Sequence, residues 1–155
     1  MRVLKLFEKS YLLAVKQQKS NIIDLERVKD NSKWPELYYA YDRLQNLSNE
    51  VISLKPIVES ENMNAPAFLR YRMDLTTQDY NMELTKISPL AADYQYKKGL
   101  EHRKKKDKEN QKIAAKAFKS AQQFMPNYKN SKALYDETRS AALLTLLILP
   151  IEGNK

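Results

Sequence analysis

The chain has 155 residues, two glycines, no cysteine and a net charge of +8. A chain of this length can bury the core of one domain without covalent cross-links, and the lack of cysteine excludes disulfides, zinc–thiolate sites and thiol catalysis within it. Two glycines are too few for several tight hairpins or a glycine-rich phosphate loop, so the composition predicts an all-α fold.

The first two predicted helices form a pair. Apolar residues recur at helical spacing from Val3 to Val28, which predicts one amphipathic helix, continuous or broken. The turn "KDNSKWP" ends it, and Pro35 suits the first turn of a second helix through "PELYYAYDRLQNLSNEVISL". One face of that helix carries Leu37, Tyr41, Leu44, Leu47 or Ser48, and Val51. The short connection indicates that the two helices pack antiparallel.

The middle of the chain is less regular. The stretch "KPIVESENMNAP" lies between two prolines and is rich in Asn and Glu, which predicts a loop. The stretch "AFLRYRMDLTTQDYNMELTKI" has a helical pattern, with a break or bend expected at the β-branched pair Thr76 and Thr77. Ser88 and Pro89 then leave two alternatives: they cap a new helix that reaches about residue 106, or one continuous helix is kinked at the proline.

The last two predicted helices flank a proline corner. Asp107 is a candidate N-cap for a helix through "DKENQKIAAKAFKSAQQFM". Pro126 marks the corner before a final helix from about Lys129 to Ala142. The apolar face of the helix before the corner carries Ile113, Ala114, Ala117, Phe118 and Ala121. The run "LLTLLILPIEGNK" that ends the chain lacks a helical period and predicts either a buried strand or the tail of a buried helix.

Small residues, one aromatic residue and a proline occupy defined positions in the hairpin near the end of the chain. They are Gly99, Ala114, Phe118, Ala121 and Pro126. A small residue lets two helix backbones approach each other, and an aromatic ring fills the space one turn away. With this pattern, residues 90–142 resemble about one and a half units of the tetratricopeptide repeat, in which a helical hairpin recurs about every 34 residues. The resemblance implies antiparallel helical hairpins stacked in a right-handed array.

A second resemblance concerns the context of this hairpin. The stretch from "AADYQYKKGL" to "SKALYDETR", followed by "LLILPIEGNK", is similar to the helical N-terminal region of bacterial envelope lipoproteins. The resemblance implies a helical-hairpin domain over 1–142 and an apolar segment over 143–155, as the first strand of a following domain that this chain does not complete. It also implies a periplasmic or outer-membrane-tethered location in a Gram-negative bacterium, through an anchor outside this chain. We expect no signal peptide and find no lipidation cysteine, which keeps a cytoplasmic location as the alternative.

The concave face of a tetratricopeptide-like hairpin is where the resemblance places contacts with a partner. The corresponding positions are Asp93, Tyr96, Leu100, Arg103 and Lys104. The expected function is that of a non-catalytic protein–protein interaction or scaffolding module that binds a protein or a peptide. Self-association through the apolar run Leu143–Leu149 is a further expectation.

Residues able to carry catalysis or bind a metal are sparse. His102 is the single histidine, and no nucleophile or orienting partner is suggested by its spacing, so we expect neither an enzyme nor a metal or cofactor site. The run Lys97–Lys112 contains eight Lys or Arg against three Asp or Glu. It predicts either a solvated helix end or, as the alternative function, a basic adaptor that binds nucleic acid or acidic lipid. The lack of aromatic residues within the run disfavours nucleic acid.

Overall fold

Five α-helices make up most of the described chain. The computed structural model describes residues 2–67, 70 and 72–147. The helices are α1 (Arg2–Arg27), α2 (Lys33–Asn64), α3 (Asn81–Arg103), α4 (Lys108–Phe124) and α5 (Ser131–Leu147). No strand occurs among the described residues, so the predicted all-α fold is confirmed. Each helix in this part of the chain is too short or too polar to cross a lipid bilayer.

The helices belong to two units, Met1–Lys86 and Ile87–Lys155. The boundary between the units lies inside α3. The division predicted from the sequence, between 1–142 and 143–155, falls instead inside α5. A following domain that begins near residue 143 stays a prediction.

The first unit is built on the predicted α1–α2 pair. The connection over 28–32 is short, and the two helices pack directly against each other. Tyr11 of α1, Val51 of α2 and Leu75 form a buried cluster. The Tyr11 hydroxyl donates a hydrogen bond to the carbonyl oxygen of Thr76 at 3.1 Å. One side chain thus joins α1 to both α2 and the segment that follows α2.

Helix α2 continues through Asn64, so the loop predicted over 55–66 is wrong for most of its length. Pro56 lies inside the helix. A proline in a helix interior removes a backbone hydrogen bond and costs about 3 kcal/mol. Val51 and Val58, on either side of the proline along the chain, are both buried. Because tertiary packing supplies most of the stability of a helix in a protein, this burial maintains the helix across the proline.

The break expected at Thr76 and Thr77 is confirmed, but it is longer than predicted: residues 72–80 are not helical, so the helix predicted over 67–87 is wrong for them. Leu75 and Tyr80 are buried there, and the backbone N–H of Tyr80 donates a hydrogen bond to Gln45 Oε1 at 2.6 Å. Thr76 and the residue after it are β-branched, which disfavours a helix. A side chain of α2 therefore replaces the hydrogen bond that a helix would have provided.

Helix α3 is continuous across Pro89 and ends at Arg103. This decides between the two alternatives for the Ser88–Pro89 pair in favour of one helix. The Ser88 hydroxyl does not cap the start of a helix. It donates a hydrogen bond to the carbonyl oxygen of Phe124 instead. The last carbonyl groups of a helix lack partners within the helix, so Ser88 supplies one at the end of α4.

Asp107 caps α4 as predicted, since its carboxylate accepts a hydrogen bond from the backbone N–H of Asn110 at 3.0 Å. The predicted apolar face is buried at Ala114, Ala117, Phe118 and Ala121. Ile113, however, is 37% exposed, so its assignment to this face is wrong. With about 100° between successive residues, Ile113 points roughly 90° away from the centre of the buried face.

Gly99 and Phe118 bring α3 and α4 into close contact. A Cβ atom on Gly99 would lie 2.6 Å from Cε1 of Phe118, closer than van der Waals contact allows. The ring is fully buried and clusters with Ala114 and Leu134. Two residues of the repeat-like pattern, Gly99 and Phe118, are therefore in direct contact. A third, Pro126, is exposed in the corner after α4.

Helix α5 extends to Leu147, so the strand alternative is wrong as far as that residue. A continuous apolar run does not by itself distinguish a strand from a buried helix. Thr138 and Ala142 are buried in α5 and favour its continuation. Leu143 is 52% exposed, and the part of the predicted strand from 148 onward lies outside the described residues.

We expect the chain to self-associate through Leu143–Leu149, because the sequence is apolar there and Leu143 is exposed, and exposed apolar residues favour association. Leu143→Glu in the full chain should shift dimers or larger species toward monomers, as measured by size-exclusion chromatography with light scattering. A chain that ends at Ala142 serves as the second variant. If all three proteins are monomers, self-association through this run is contradicted.

Candidate peptide-binding groove

The corner between α4 and α5 is attached to α3 through Asp93. Its carboxylate accepts hydrogen bonds from Tyr128 Oη at 2.7 Å and from Lys129 Nζ at 2.9 Å. It also forms an ion pair with Lys97 Nζ at 2.6 Å, one turn further along α3. The Lys129 ammonium group lies 4.9 Å from the ring centre of Tyr96 and 4.9 Å from that of Tyr128. Asp93 is therefore engaged in a network that fixes the corner.

The backbone of this corner adopts an unfavourable conformation. Asn127 and Lys129 have φ angles of 60° and 46°, and this left-handed region costs most residues about 1–2 kcal/mol. Asparagine tolerates it better than lysine does. Hydrogen bonds from Lys97, Tyr128 and Lys129 hold the pKa of Asp93 well below its ordinary value. The hydrogen bonds of Lys129 with Asp93 and then with Tyr128 raise the pKa of Lys129. The ion pair between Lys129 and Asp93 attaches this unfavourable backbone to α3.

Replacing Asp93 by Asn is expected to lower the free energy of unfolding by about 1–2 kcal/mol at pH 7, because charge-assisted hydrogen bonds become neutral ones. The pKa of Asp93 is lower in the folded than in the unfolded state. Its stabilising effect is therefore present above about pH 4 and is lost as the pH falls through the folded-state pKa. The difference between wild type and variant, measured by urea unfolding, should shrink from about pH 5 to pH 2. Asp136→Asn, at an exposed position of α5, is the control, and equal losses in both variants would contradict the network.

Helices α3 and α5 lie side by side. The Tyr96 hydroxyl donates a hydrogen bond to Oδ1 of Asn130, 34 residues further along the chain and next to the start of α5. Arg103 forms an ion pair with Glu137 at 2.6 Å, again 34 residues further on. Because the sequence separation stays constant along the contact, α3 and α5 run in the same direction.

A groove of about 590 Å³ lies where α3, α4 and α5 meet. Its apolar lining includes Leu100 and Ala141. Its charged residues are Arg103, Lys104, Lys106 and Glu137. Three cations face one carboxylate, an excess of 3 − 1 = +2, so the groove favours an anionic ligand.

The connection between α3 and α4 forms one edge of the groove and is held by its own hydrogen bonds. Gln111 is buried, and its side-chain amide donates a hydrogen bond to the carbonyl oxygen of Arg103 at 3.0 Å. Asn110 donates a hydrogen bond to the Asp107 carboxylate at 2.6 Å, and its Oδ1 lies 2.7 Å from Nδ1 of His102. His102 thus helps to fix the connection between α3 and α4. The expectation that it has no catalytic role stays a prediction.

The five residues predicted to contact a partner divide into two groups. Leu100, Arg103 and Lys104 line the groove. Asp93 and Tyr96 lie in the hydrogen-bonded network at the α4–α5 corner. Four of the five predicted residues lie on α3 and Lys104 follows its end, but only Leu100, Arg103 and Lys104 line the groove.

Sequence reasoning missed the residues that α5 and the corner before it contribute. For the groove these are Glu137 and Ala141. For the corner they are Tyr128, Lys129 and Asn130. Lys97, Lys106 and Gln111 fall within the predicted run Lys97–Lys112, but the sequence did not connect them with the groove or with Asp93. A separation equal to the repeat length of about 34 residues is the signal that could have connected Arg103 with Glu137.

The chain was compared with known proteins at the level of both sequence and fold. No protein-family model, no curated protein and no solved structure matches it.

Proposed function

We propose that the Ile87–Lys155 unit is a non-catalytic protein-interaction module built from tetratricopeptide-like hairpins in a right-handed array. Two observations support this. Helices α3 and α5 run in the same direction and pair residues 34 positions apart, close to the period of about 34 residues in such repeats. Gly99 also admits the Phe118 ring against the α3 backbone, as close packing of a helical hairpin requires.

The α3–α5 groove is the proposed binding site, and its excess of cations is the observation that carries the proposal. Rigid helices present Leu100 to an apolar side chain of the partner and the groove cations to its carboxylates. The side chains of Arg103 and Glu137 are 40% and 57% exposed, so their ion pair contributes less than about 1 kcal/mol to stability. A carboxylate of the partner can replace Glu137 at little cost. The groove therefore fits a short acidic peptide segment that also carries apolar residues.

Lys104→Glu and Lys105→Glu form a matched pair for testing this site. Both lysines are exposed neighbours in the α3–α4 connection, but Lys104 lines the groove and Lys105 does not. Peptides selected from a random display library on the wild-type chain should be rich in Asp and Glu. Their affinity, measured by fluorescence anisotropy, should fall about tenfold in Lys104→Glu and less than about threefold in Lys105→Glu. Equal losses in the two variants, or the selection of no peptide, would contradict the groove as the binding site.

The alternative is a basic adaptor that binds nucleic acid or acidic lipid through Lys97–Lys112. The observation in its favour is that Lys104, Lys105 and Lys106 are all exposed. Duplex DNA or phosphatidylserine vesicles would then bind with an affinity that falls steeply as salt is added. Lys104→Glu and Lys105→Glu would weaken that binding equally, because it depends on total charge rather than on the groove.

We also propose that this unit belongs to a bacterial envelope protein. The support is the similarity of the stretch from "AADYQYKKGL" to "SKALYDETR", followed by "LLILPIEGNK", to the helical N-terminal region of envelope lipoproteins. Fractionation of the host cells, followed by immunodetection, should place the protein in the periplasm or with the outer membrane. Recovery from the cytoplasmic fraction would contradict this location without affecting the proposed binding activity.

A further inference from the structure

A second groove, of about 340 Å³, lies between α4 and α5. It shares no lining residue with the first groove. Its floor is formed by Ala115, Tyr135, Ala142 and Leu143. Its rim carries four cations, Lys112, Lys116, Lys119 and Arg139, and no carboxylate is among its described lining residues.

Few carboxylates of the chain compensate the positive charge of the rim cations. Lys112 forms an ion pair with Glu109 at 2.8 Å. Across the described residues, the ion pairs involve none of Lys116, Lys119 and Arg139. Like charges gathered around an apolar floor repel each other, and a ligand that brings carboxylates to the rim removes this repulsion.

The rim lysines are spaced along α4 as side chains on one face of a partner helix would be. Lys112, Lys116 and Lys119 occupy positions i, i+4 and i+7 of α4, so they follow one face of it over about 10 Å. A helix that lies along the groove presents its own side chains at the same spacing. Acidic residues at these intervals would meet the three lysines, while an adjoining apolar stripe would cover Tyr135 and the exposed Leu143.

We propose that the α4–α5 groove docks an acidic amphipathic helix of a partner protein. An apolar floor bounded by charges is the arrangement that receives a helix in a groove. A lipid surface would meet the same cations, but it offers no side chains at the fixed spacing of Lys112, Lys116 and Lys119, and the vesicle measurement below tests it. A second copy of the chain has a net charge of +8 and so brings no excess of carboxylates. Self-association through Leu143–Leu149 would therefore leave the rim cations uncompensated. The inference does not depend on the peptide binding proposed for the first groove.

The probe is a synthetic helical peptide, held by a side-chain lactam, with leucines along one face and glutamates on both flanks. We expect the double variant Lys116→Glu/Lys119→Glu to bind this peptide about tenfold more weakly than the wild type or worse. Lys16→Glu/Lys19→Glu on α1 is the matched control, because it has the same spacing, the same charge change and exposed positions. It should retain affinity within about threefold. Circular dichroism checks that both variants keep the helical content of the wild type.

Four further measurements test the groove and its occupant. The peptide with Gln in place of every Glu should bind about tenfold more weakly, and Leu143→Ser should also weaken binding because it removes an apolar contact. Lys104→Glu should bind the helical peptide as the wild type does, which distinguishes this groove from the first. Equal binding by wild type and Lys116→Glu/Lys119→Glu overturns the proposal. Binding of phosphatidylserine vesicles through these two lysines, without binding of the peptide, overturns it in favour of a lipid surface.

Discussion

Replacing Phe118 by Ala is expected to lower the free energy of unfolding by about 3–5 kcal/mol, because the ring is fully buried and its removal leaves a cavity. The ring meets Tyr96 edge-on, with 5.7 Å between the ring centres. It also clusters with Ala114 of its own helix and with Leu134 of α5. The cavity would be shared by α3, α4 and α5, so no single side chain can fill it. Urea unfolding followed by circular dichroism measures the change.

Ile113→Ala is the control for this prediction. Ile113 lies on the same helix as Phe118 and is also a large apolar residue, but it is 37% exposed. Its truncation should cost less than about 1 kcal/mol. Similar losses in the two variants would mean that α4 packs through a different face.

Gly99→Val is expected to lower the free energy of unfolding by about 2–3 kcal/mol through overpacking. A Cβ at position 99 would lie 2.6 Å from Cε1 and 2.8 Å from Cδ1 of Phe118. The ring is fully buried and cannot turn away without displacing its neighbours. Adding a branched side chain must therefore separate α3 from α4. The same urea unfolding measurement gives the change.

A double-mutant cycle tests whether the two residues interact directly. In a Phe118→Leu background, Gly99→Val should cost at least about 1 kcal/mol less than in the wild type, because the smaller side chain leaves room for the valine. Lys98→Val, at the exposed neighbouring position, should change stability by less than about 0.5 kcal/mol. Additive effects of the substitutions at positions 99 and 118 would show that the close contact does not limit the packing of α3 on α4.

The helices were predictable where a long apolar period ends at a capping residue. Helices α1 and α4 begin and end close to the predicted residues, and Asp107 caps α4 through a hydrogen bond from the backbone N–H of Asn110. The apolar period of α1 does not predict burial, however, since Val3, Leu6 and Ile23 are exposed. The prediction failed where a local signal competed with burial. Pro56 did not end α2, because Val58 beyond it is buried, and the helical pattern over 72–80 did not form a helix, because Tyr80 takes a hydrogen bond partner from α2.

The candidate site was predictable in part for a similar reason. Leu100 and Arg103 lie on the predicted side of α3 and line the groove, because a helical period correctly describes which residues share a face. Lys104 lines it too, from the first position after the end of α3. Asp93 lies on the same side of α3, but its carboxylate accepts a hydrogen bond from Tyr128 in the corner between α4 and α5. The period alone could not reveal this, since it contains no information on which element lies opposite.

The amino-acid sequence by itself determined the all-α class and the cap of α4. These depend on interactions within a few residues along the chain, which composition, spacing and caps express directly. Only the tertiary structure decided that Arg103 meets Glu137, and that Arg139 joins the lysines of α4 around a second groove. Those residues lie on different helices, and their proximity depends on how the helices pack against one another.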